Sequence, residues 1–182
     1  TSHGKDGEKA AYEKLIDRNP TGILSIVAAS YDIFNAVKNI FGKQLKEKVL
    51  NRDGVLVVRP DSGNPVEVVY DVVTALDEAF GSYVNSKGYK CLNDKVRVLQ
   101  GDGIDIAMLR RILENLKTNG WSADNVVFGM GGKLLQDHNR DTQKFAMKCS
   151  YIEVNGKGRD VFKDPVTDSG KTSKKGRLAL VL

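Results

Sequence analysis

Three short loops combine glycine with aspartate, arginine or lysine in a pattern typical of phosphate binding. They are residues 59–65, 100–105 and 129–133, and each comes directly after a short apolar run. A glycine just before a helix lets backbone N–H groups approach an anion, and the helix dipole adds attraction there. Gly131 and Gly132 in the third loop are therefore the best candidates for a phosphate cradle.

Charged side chains in the first two loops extend this chemistry. Asp61 and Asp102 lie on glycine-containing turns, where their carboxylates can accept hydrogen bonds from ribose hydroxyls or hold Mg²⁺ through water. Arg59 offers a planar fork for a phosphate or a carboxylate, and a flat face for stacking on a ring. Each loop alone is an ordinary turn sequence, so the coincidence of three such loops carries the prediction of a site.

Other kinds of site are disfavoured by the sequence. No P-loop and no GxGxxG fingerprint follows any of these apolar runs, which weakens a nucleotide-hydrolase or dehydrogenase interpretation. No Ser-His-Asp or Cys-His arrangement indicates a nucleophile. Cys91 and Cys149 lack metal-ligand spacing, and we assign no role to His3 or His138.

The elements that must position the loops alternate between apolar runs and amphipathic segments. The predicted strands are 23–27, 55–58, 96–99 and 125–128. The predicted helices are 5–17, 32–41, 65–80, 105–116 and a short one around Leu134 and Leu135, with Asp32 and Asp105 as helix caps. Such repeated units predict an α/β fold with a parallel sheet, either doubly wound or part of a (β/α) barrel. Ligands then bind at the carboxyl ends of the strands, where the three loops lie.

The pattern changes after Arg140. An alternating stretch at 147–154, a turn at 155–158 and a return at 160–163 predict an appended antiparallel hairpin. The last residues, 177–182, are apolar enough to predict one more short strand.

The charge of the chain is concentrated near its end. The net charge is +5, and residues 156–182 contain seven basic and three acidic residues, so that segment carries +4 of it. This asymmetry predicts an anionic partner. Nucleic acid is the weakest choice, because no aromatic residue interrupts the basic run 171–177. We divide the chain into a parallel α/β domain, 1–146, which is either doubly wound or part of a barrel, and a hairpin with a basic segment, 147–182, that completes the site.

Composition bounds the class of protein. The chain has 182 residues, of which 41% are hydrophobic and 28% charged, values typical of a globular protein. No apolar run approaches the roughly 20 residues of a membrane span, and the first residues lack the apolar core of a signal peptide. The two cysteines favour a reducing compartment, so we expect a cytoplasmic protein without a membrane segment.

A set of motifs occurs in order from about Gly4 to Leu178. They are Arg59-Pro-Asp-Ser-Gly-Asn-Pro65, Gln100-Gly-Asp-Gly103, Phe128-Gly-Met-Gly-Gly132, Leu134-Leu-Gln136, Arg140-Asp141, Lys148-Cys-Ser-Tyr151, Val161-Phe-Lys-Asp-Pro165 and Ser173-Lys-Lys-Gly-Arg-Leu178. Together they resemble the nicotinamide phosphoribosyltransferase family. The resemblance implies part of a (β/α) barrel of the type II phosphoribosyltransferase kind, with the antiparallel hairpin appended at the C-terminus.

The resemblance also implies a reaction and its partners. Nicotinamide and phosphoribosyl pyrophosphate would give nicotinamide mononucleotide and pyrophosphate, as a step of NAD salvage. Mg²⁺ would be bound mainly through pyrophosphate and water, and ATP would act in the full-length family. The family is a homodimer with a shared active site, so a second copy is expected as a partner.

Four residues match family positions near the ring and the ribose. Arg59 matches the arginine that stacks near the nicotinamide ring, and Asp61 matches the aspartate near the ribose and the metal–pyrophosphate region. These two are the expected catalytic residues. Gly101 and Asp102 match a pair that faces the ribose.

A second group matches family positions that bind phosphates. They are Gly131, Gly132 and Arg140 for the 5′-phosphate, and Lys148, Lys163 and Lys171 for pyrophosphate or nucleotide phosphates. In the family, Lys148 and Lys163 act across the dimer interface.

This sequence departs from the family pattern in three ways. It corresponds only to the C-terminal portion, so the N-terminal portion that clamps nicotinamide is expected elsewhere. The phosphorylatable family histidine would lie just upstream of Thr1. Ala29 stands where the family has an aspartate. Two alternatives therefore stay open: a nicotinate phosphoribosyltransferase, and a non-catalytic phosphate-binding fragment.

Overall fold

The computed structural model describes residues 2–131 and 147–180. Within these residues the strands are β1 (Thr21–Val27), β2 (Asp53–Arg59), β3 (Ser82–Val84), β4 (Lys90–Leu92), β5 (Val96–Gln100), β6 (Val126–Phe128), β7 (Tyr151–Val154) and β8 (Lys157–Asp160). The α-helices are α1 (Glu8–Arg18), α2 (Ile33–Asn35), α3 (Lys46–Asn51), α4 (Pro65–Phe80) and α5 (Ile106–Thr118). A π-helix spans Ala36–Gln44, and short 3₁₀ turns lie at Ala123–Asn125 and Ser169–Lys171.

A parallel sheet of β1, β2, β5 and β6, in that order, organises the fold. Strand pairing aligns Ile26 with Val58, Val58 with Val98, and Val98 with Val126. These four side chains share one face of the sheet and belong to the hydrophobic core, together with apolar residues of the helices. The predicted α/β fold with a parallel sheet is thereby confirmed.

Helix α4 shows how local sequence sets its boundaries. Asn64 caps the helix by accepting a hydrogen bond from the Val66 N–H, and Pro65 occupies the first turn, where its missing N–H costs nothing. Its buried face contains Val69, Val72 and Leu76, none of which is exposed. Helix α4 spans the predicted residues, and Asp32 and Asp105 cap their helices as expected.

The helix predicted at 32–41 is too short, because helical structure continues to Asn51. The helical path continues through the π-helix, whose wider turn is visible where the Leu45 N–H donates to the Ile40 carbonyl at 2.8 Å, and then through α3. Leu45 and Val49 are buried and extend the apolar face beyond Phe41. The hairpin of β3 and β4 was also not predicted, because strands of three residues are too short to show an alternation of apolar and polar residues.

The C-terminal hairpin is confirmed, but its second strand begins earlier than predicted. Asn155 and Gly156 both have positive φ, 53° and 73°, which makes a two-residue turn of the kind that joins strands directly. Val154 therefore pairs with Lys157, and β8 ends at Asp160 rather than beginning there.

The prediction of a last strand at 177–182 is wrong for residues 177–180. These residues form no ladder, and the Arg177 side chain instead stacks on Tyr151, 4.6 Å from the ring centre, and donates to Glu153. The expected helix around Leu134 and Leu135 lies outside the described residues. In the described part of the chain, no helix is both long and apolar enough to cross a bilayer.

The second face of the parallel sheet leaves several apolar side chains exposed, although Val57 on that face is buried. Ile23, Val27 and Val127 lie there and are 79%, 42% and 49% exposed. Parallel sheets are almost always covered on both faces, so this face has the character of an incomplete core.

Replacing Leu76 by alanine tests the packed face. Because the Leu76 side chain is fully buried, Leu76→Ala should lower the free energy of unfolding by about 2–5 kcal/mol through lost burial and a residual cavity. Val84→Ala, at a side chain that is 65% exposed, is the control and should change it by less than about 0.5 kcal/mol. Denaturant titration measures both, and equal effects would contradict this assignment of the core.

Candidate functional site

The loops that follow β2, β5 and β6 meet at one edge of the sheet. A Cβ atom on Gly101 would lie 3.7 Å from Nη2 of Arg59 and 3.9 Å from the carbonyl oxygen of Gly129. The Gly129 N–H also donates to the Gln100 carbonyl at 3.0 Å. The three loops predicted to form a site are therefore neighbours, and Gly101 is the point where they come closest.

Residues 161–173, which we call the C-terminal strap, cross these loops. The Asp164 N–H donates to the Ser30 carbonyl at 2.9 Å, and the Val166 N–H donates to the Tyr31 carbonyl at 3.0 Å. The Tyr31 hydroxyl donates to the Phe162 carbonyl at 3.3 Å. The strap is thus fastened by its backbone to the loop that follows β1.

The strap delivers two lysines onto the two aspartates. Lys163 Nζ lies 3.5 Å from Asp61 Oδ2. Lys171 Nζ donates both to Asp102 Oδ2 and to the Asp61 carbonyl, each at 2.7 Å. The lysine side chains are only 15% and 32% exposed, whereas the aspartates are 45% and 47% exposed. Two cations and two anions therefore face solvent from one small area.

A pair of hydroxyls fixes the strap at its middle. Ser62 is buried, and its hydroxyl is hydrogen-bonded to that of Thr167. Gly63, with φ of +87°, lies beneath the same residue, and a Cβ there would be 3.3 Å from Thr167 Cβ. Glycine is required for both reasons. No pattern in the sequence indicates a role for Thr167, since its partner is 105 residues away.

The remaining predicted residues are less enclosed. Gly131 is exposed, with open space where a Cβ would stand, and Lys148 is exposed in the segment before β7. Gly132 and Arg140 lie outside the described residues, as does His138. Ala29, in the loop after β1, is buried.

A cavity of about 440 Å³ lies beside the strap's anchor, between α1 and β1. Its wall includes Glu8, whose carboxylate accepts a hydrogen bond from the Tyr12 hydroxyl at 2.8 Å. Burial raises the pKa of Glu8, and burial together with the Glu8 charge raises the pKa of Tyr12 and of Tyr31. Tyr31 links this cavity to the strap.

The site offers oxygen ligands but no metal cage. Among residues 2–131 and 147–180, no group of three or more His, Cys, Asp or Glu side chains is placed to hold a metal ion. A divalent cation here would need oxygens from a ligand or from water in addition to Asp61 and Asp102.

A parallel α/β sheet with glycines, paired aspartates and lysines at its carboxyl edge is an arrangement that can bind phosphate and sugar groups. The model of the nicotinate phosphoribosyltransferase (NAPRTase) family matches residues 1–180, so the chain belongs to this family. The family resemblance drawn from the motifs is confirmed.

Three relatives carry the name nicotinamide phosphoribosyltransferase, which is an enzyme name. The chain is 51% identical to the protein of Xanthomonas campestris pv. campestris over 100% of its own length and 39% of that relative. It is 40% identical to the protein of Mycoplasma pneumoniae, over 96% of the chain and 41% of the relative. It is 36% identical to the protein of Acinetobacter baylyi, over 96% of the chain and 38% of that relative. The chain thus spans about two fifths of the length of these relatives.

Removing the Lys171 ammonium tests whether this lysine holds the strap. Because the ion pair is partly exposed, Lys171→Met should cost less than about 1 kcal/mol of global stability. Locally, the amides of residues 161–173 should exchange hydrogen about fivefold faster, since two bonds to the loops are lost. Lys174→Met, at an exposed lysine in the irregular segment that follows the strap, is the control. Unchanged exchange in Lys171→Met would show that the strap is held without it.

Proposed function

We propose that the protein containing this chain transfers the phosphoribosyl group of phosphoribosyl pyrophosphate to nicotinamide, giving nicotinamide mononucleotide and pyrophosphate in NAD salvage. The observation that carries the proposal is the placement of Lys163 and Lys171 against Asp61 and Asp102 at neighbouring strand ends. Phosphoribosyl pyrophosphate has a ribose with free hydroxyls beside two anionic groups. Its binding site therefore needs hydrogen-bond acceptors and cations side by side. The names of the relatives support the same reaction.

The ribose and the ring would be held by the first two loops. Asp61 and Asp102 present half-exposed carboxylates that can accept hydrogen bonds from ribose hydroxyls. Gly101 has no side chain, so the sugar would be able to approach its backbone between the loops of Arg59 and Gly129. Arg59 is half-buried at the end of β2, where its guanidinium plane can stack on the nicotinamide ring.

The phosphates would be held by the strap and the third loop. Lys163 and Lys171 lie closest to the aspartates and would turn towards pyrophosphate when it arrives. We assign Gly131, Gly132 and Arg140 to the 5′-phosphate and Lys148 to pyrophosphate, as the family motifs imply.

The chemistry is a displacement at ribose C1 with an oxocarbenium-like transition state. The protein's part is to orient the ring nitrogen towards C1 and to neutralise the departing pyrophosphate with fixed cations. In this proposal, Asp61 and Asp102 would face the sugar and stabilise the positive charge that develops on it. No protein nucleophile is needed. Mg²⁺, which these carboxylates fit through water, would supply further charge neutralisation on pyrophosphate.

The architecture proposed for the whole protein is a (β/α) barrel. The second face of the sheet, which exposes Ile23, Val27 and Val127, would become the barrel interior, and β1 would pair with a further strand along its free edge. The relatives are long enough to supply the missing units in their N-terminal portion. We propose the domains 1–146 and 147–182, a cytoplasmic location, and a homodimer with a shared active site.

A second candidate function is a non-catalytic phosphate-binding fragment. Ala29 favours it, because this buried residue provides no carboxylate near the ribose at the end of β1. Nicotinate in place of nicotinamide is the alternative substrate, and the family name favours it.

Comparing two ligands tests the division between ribose and phosphate contacts. Calorimetric titration of the intact protein, with and without Mg²⁺, would use phosphoribosyl pyrophosphate and inorganic pyrophosphate. Asp102→Asn should weaken binding of phosphoribosyl pyrophosphate about tenfold or more, since bonds from ribose to a charged acceptor are lost. It should not weaken binding of pyrophosphate, because Lys171 keeps its charge and is released from the Asp102 carboxylate. Lys163→Met should weaken both. Asp94→Asn, at a side chain that is 77% exposed in the turn between β4 and β5, is the control. Equal weakening of both ligands by Asp102→Asn would overturn its assignment to ribose.

Product formation by the intact protein tests the reaction. We expect nicotinamide mononucleotide from nicotinamide and phosphoribosyl pyrophosphate, with little turnover of nicotinate, as measured by chromatography. Faster turnover of nicotinate would reassign the base. Binding of phosphoribosyl pyrophosphate without turnover of either base would establish the non-catalytic alternative.

A further inference from the structure

Gln100 lies directly beneath the loop that carries Asp102. It is the last residue of β5, is 1% exposed, and pairs in register with Phe128 on the face of the sheet that packs against the helices. Its Nε2 donates a hydrogen bond to the Asp102 carbonyl at 2.9 Å. This contact fixes the orientation of the Gln100 side-chain amide, because the opposite orientation would place Oε1 against the Asp102 carbonyl oxygen and the two would repel.

This bond matters because the loop has little stiffness of its own. Asp102 stands between Gly101 and Gly103, and Gly103 has φ of +67°. Glycines on both sides leave the aspartate free to rotate unless something else fixes it. Gln100 holds the Asp102 carbonyl from the core side, while Lys171 holds its carboxylate from the solvent side at 2.7 Å.

A glutamine at this position is costly for the fold alone. Val96 and Val98 precede it on the same face and are completely buried. The Gln100 Oε1 atom is also buried, and it has no hydrogen-bond partner among the residues the structure describes. An apolar side chain would avoid that unpaired acceptor. The bond to Asp102 is therefore the contact that distinguishes glutamine from leucine or methionine here.

We propose that Gln100 is a positioning residue: it fixes the peptide of Asp102 so that the carboxylate faces the ribose of the substrate. This inference rests on the proposed function, in which Asp102 accepts hydrogen bonds from ribose hydroxyls. Gln100 does not touch the substrate, and it acts only through Asp102.

Two variants of Gln100 test this role in the intact protein. Gln100→Met keeps the volume and removes the donor, so it should bind phosphoribosyl pyrophosphate about tenfold more weakly while its affinity for inorganic pyrophosphate stays within about twofold. Gln100→Glu should behave like Gln100→Met at pH 8, where an ionised carboxylate cannot donate. At pH 5.5 it should recover to within about threefold of the native protein, because a protonated carboxyl group donates to the same carbonyl, and burial favours the protonated form.

Affinities are compared with the native protein at the same pH, so that ionisation of the ligand cancels. Asn125→Asp is the matched control. Asn125 is a completely buried amide that bonds to the Leu92 N–H and the Lys90 carbonyl at the amino end of β6. This variant should lose stability without a change in affinity for phosphoribosyl pyrophosphate.

The outcomes separate the inference from the proposed function. Native affinity in Gln100→Met, an equal loss for both ligands, or a Gln100→Glu affinity that does not change with pH would overturn the positioning role. Where Gln100→Met does not fold, the pH response of Gln100→Glu decides. Failure of the native protein to bind phosphoribosyl pyrophosphate would overturn the proposed function instead.

Discussion

The parallel register of β1, β2, β5 and β6 is the constraint on which the site depends. Pairing in one direction places Val27 beside Arg59, and Gln100 beside Phe128, at a common edge. Each following loop must then leave from that edge, so glycines and aspartates distant in sequence become neighbours. The core on the helical face fixes this register, because a slip by one residue would turn Leu56, Val58 and their partners away from the helices.

The charges at this edge need one another while no ligand is bound. Two aspartates on adjacent loops repel, and the strap's lysines offset that repulsion. The lysines do not gain this position from attraction alone, since backbone bonds to Ser30 and Tyr31 already hold the strap in place. The proposed substrate, a polyanion with a sugar, would therefore meet both charges already oriented and would exchange partners with them rather than order a loose chain.

The sequence predicted the sheet, the C-terminal hairpin and the meeting of the loops because each depends on a local period or turn. Asn64-Pro65 marked the start of α4, for example, and its apolar spacing marked the length. The π-helix and α3 were not predicted, because tertiary burial of Leu45 and Val49 extends the helical path. Ser62 and Gln100 were passed over as turn and strand-end residues. Their roles depend on Thr167 and on the Asp102 carbonyl, contacts that no spacing reveals.

Lys171 is separated by 69 residues from Asp102 and by 110 from Asp61. Contacts between such distant positions close long loops and form late in folding, whereas each strand–helix unit forms from near neighbours. The sheet can therefore assemble before the strap crosses it. During synthesis the strap leaves the ribosome after the four strands of the sheet, so the chain passes through a stage in which this edge has its anions without their cations.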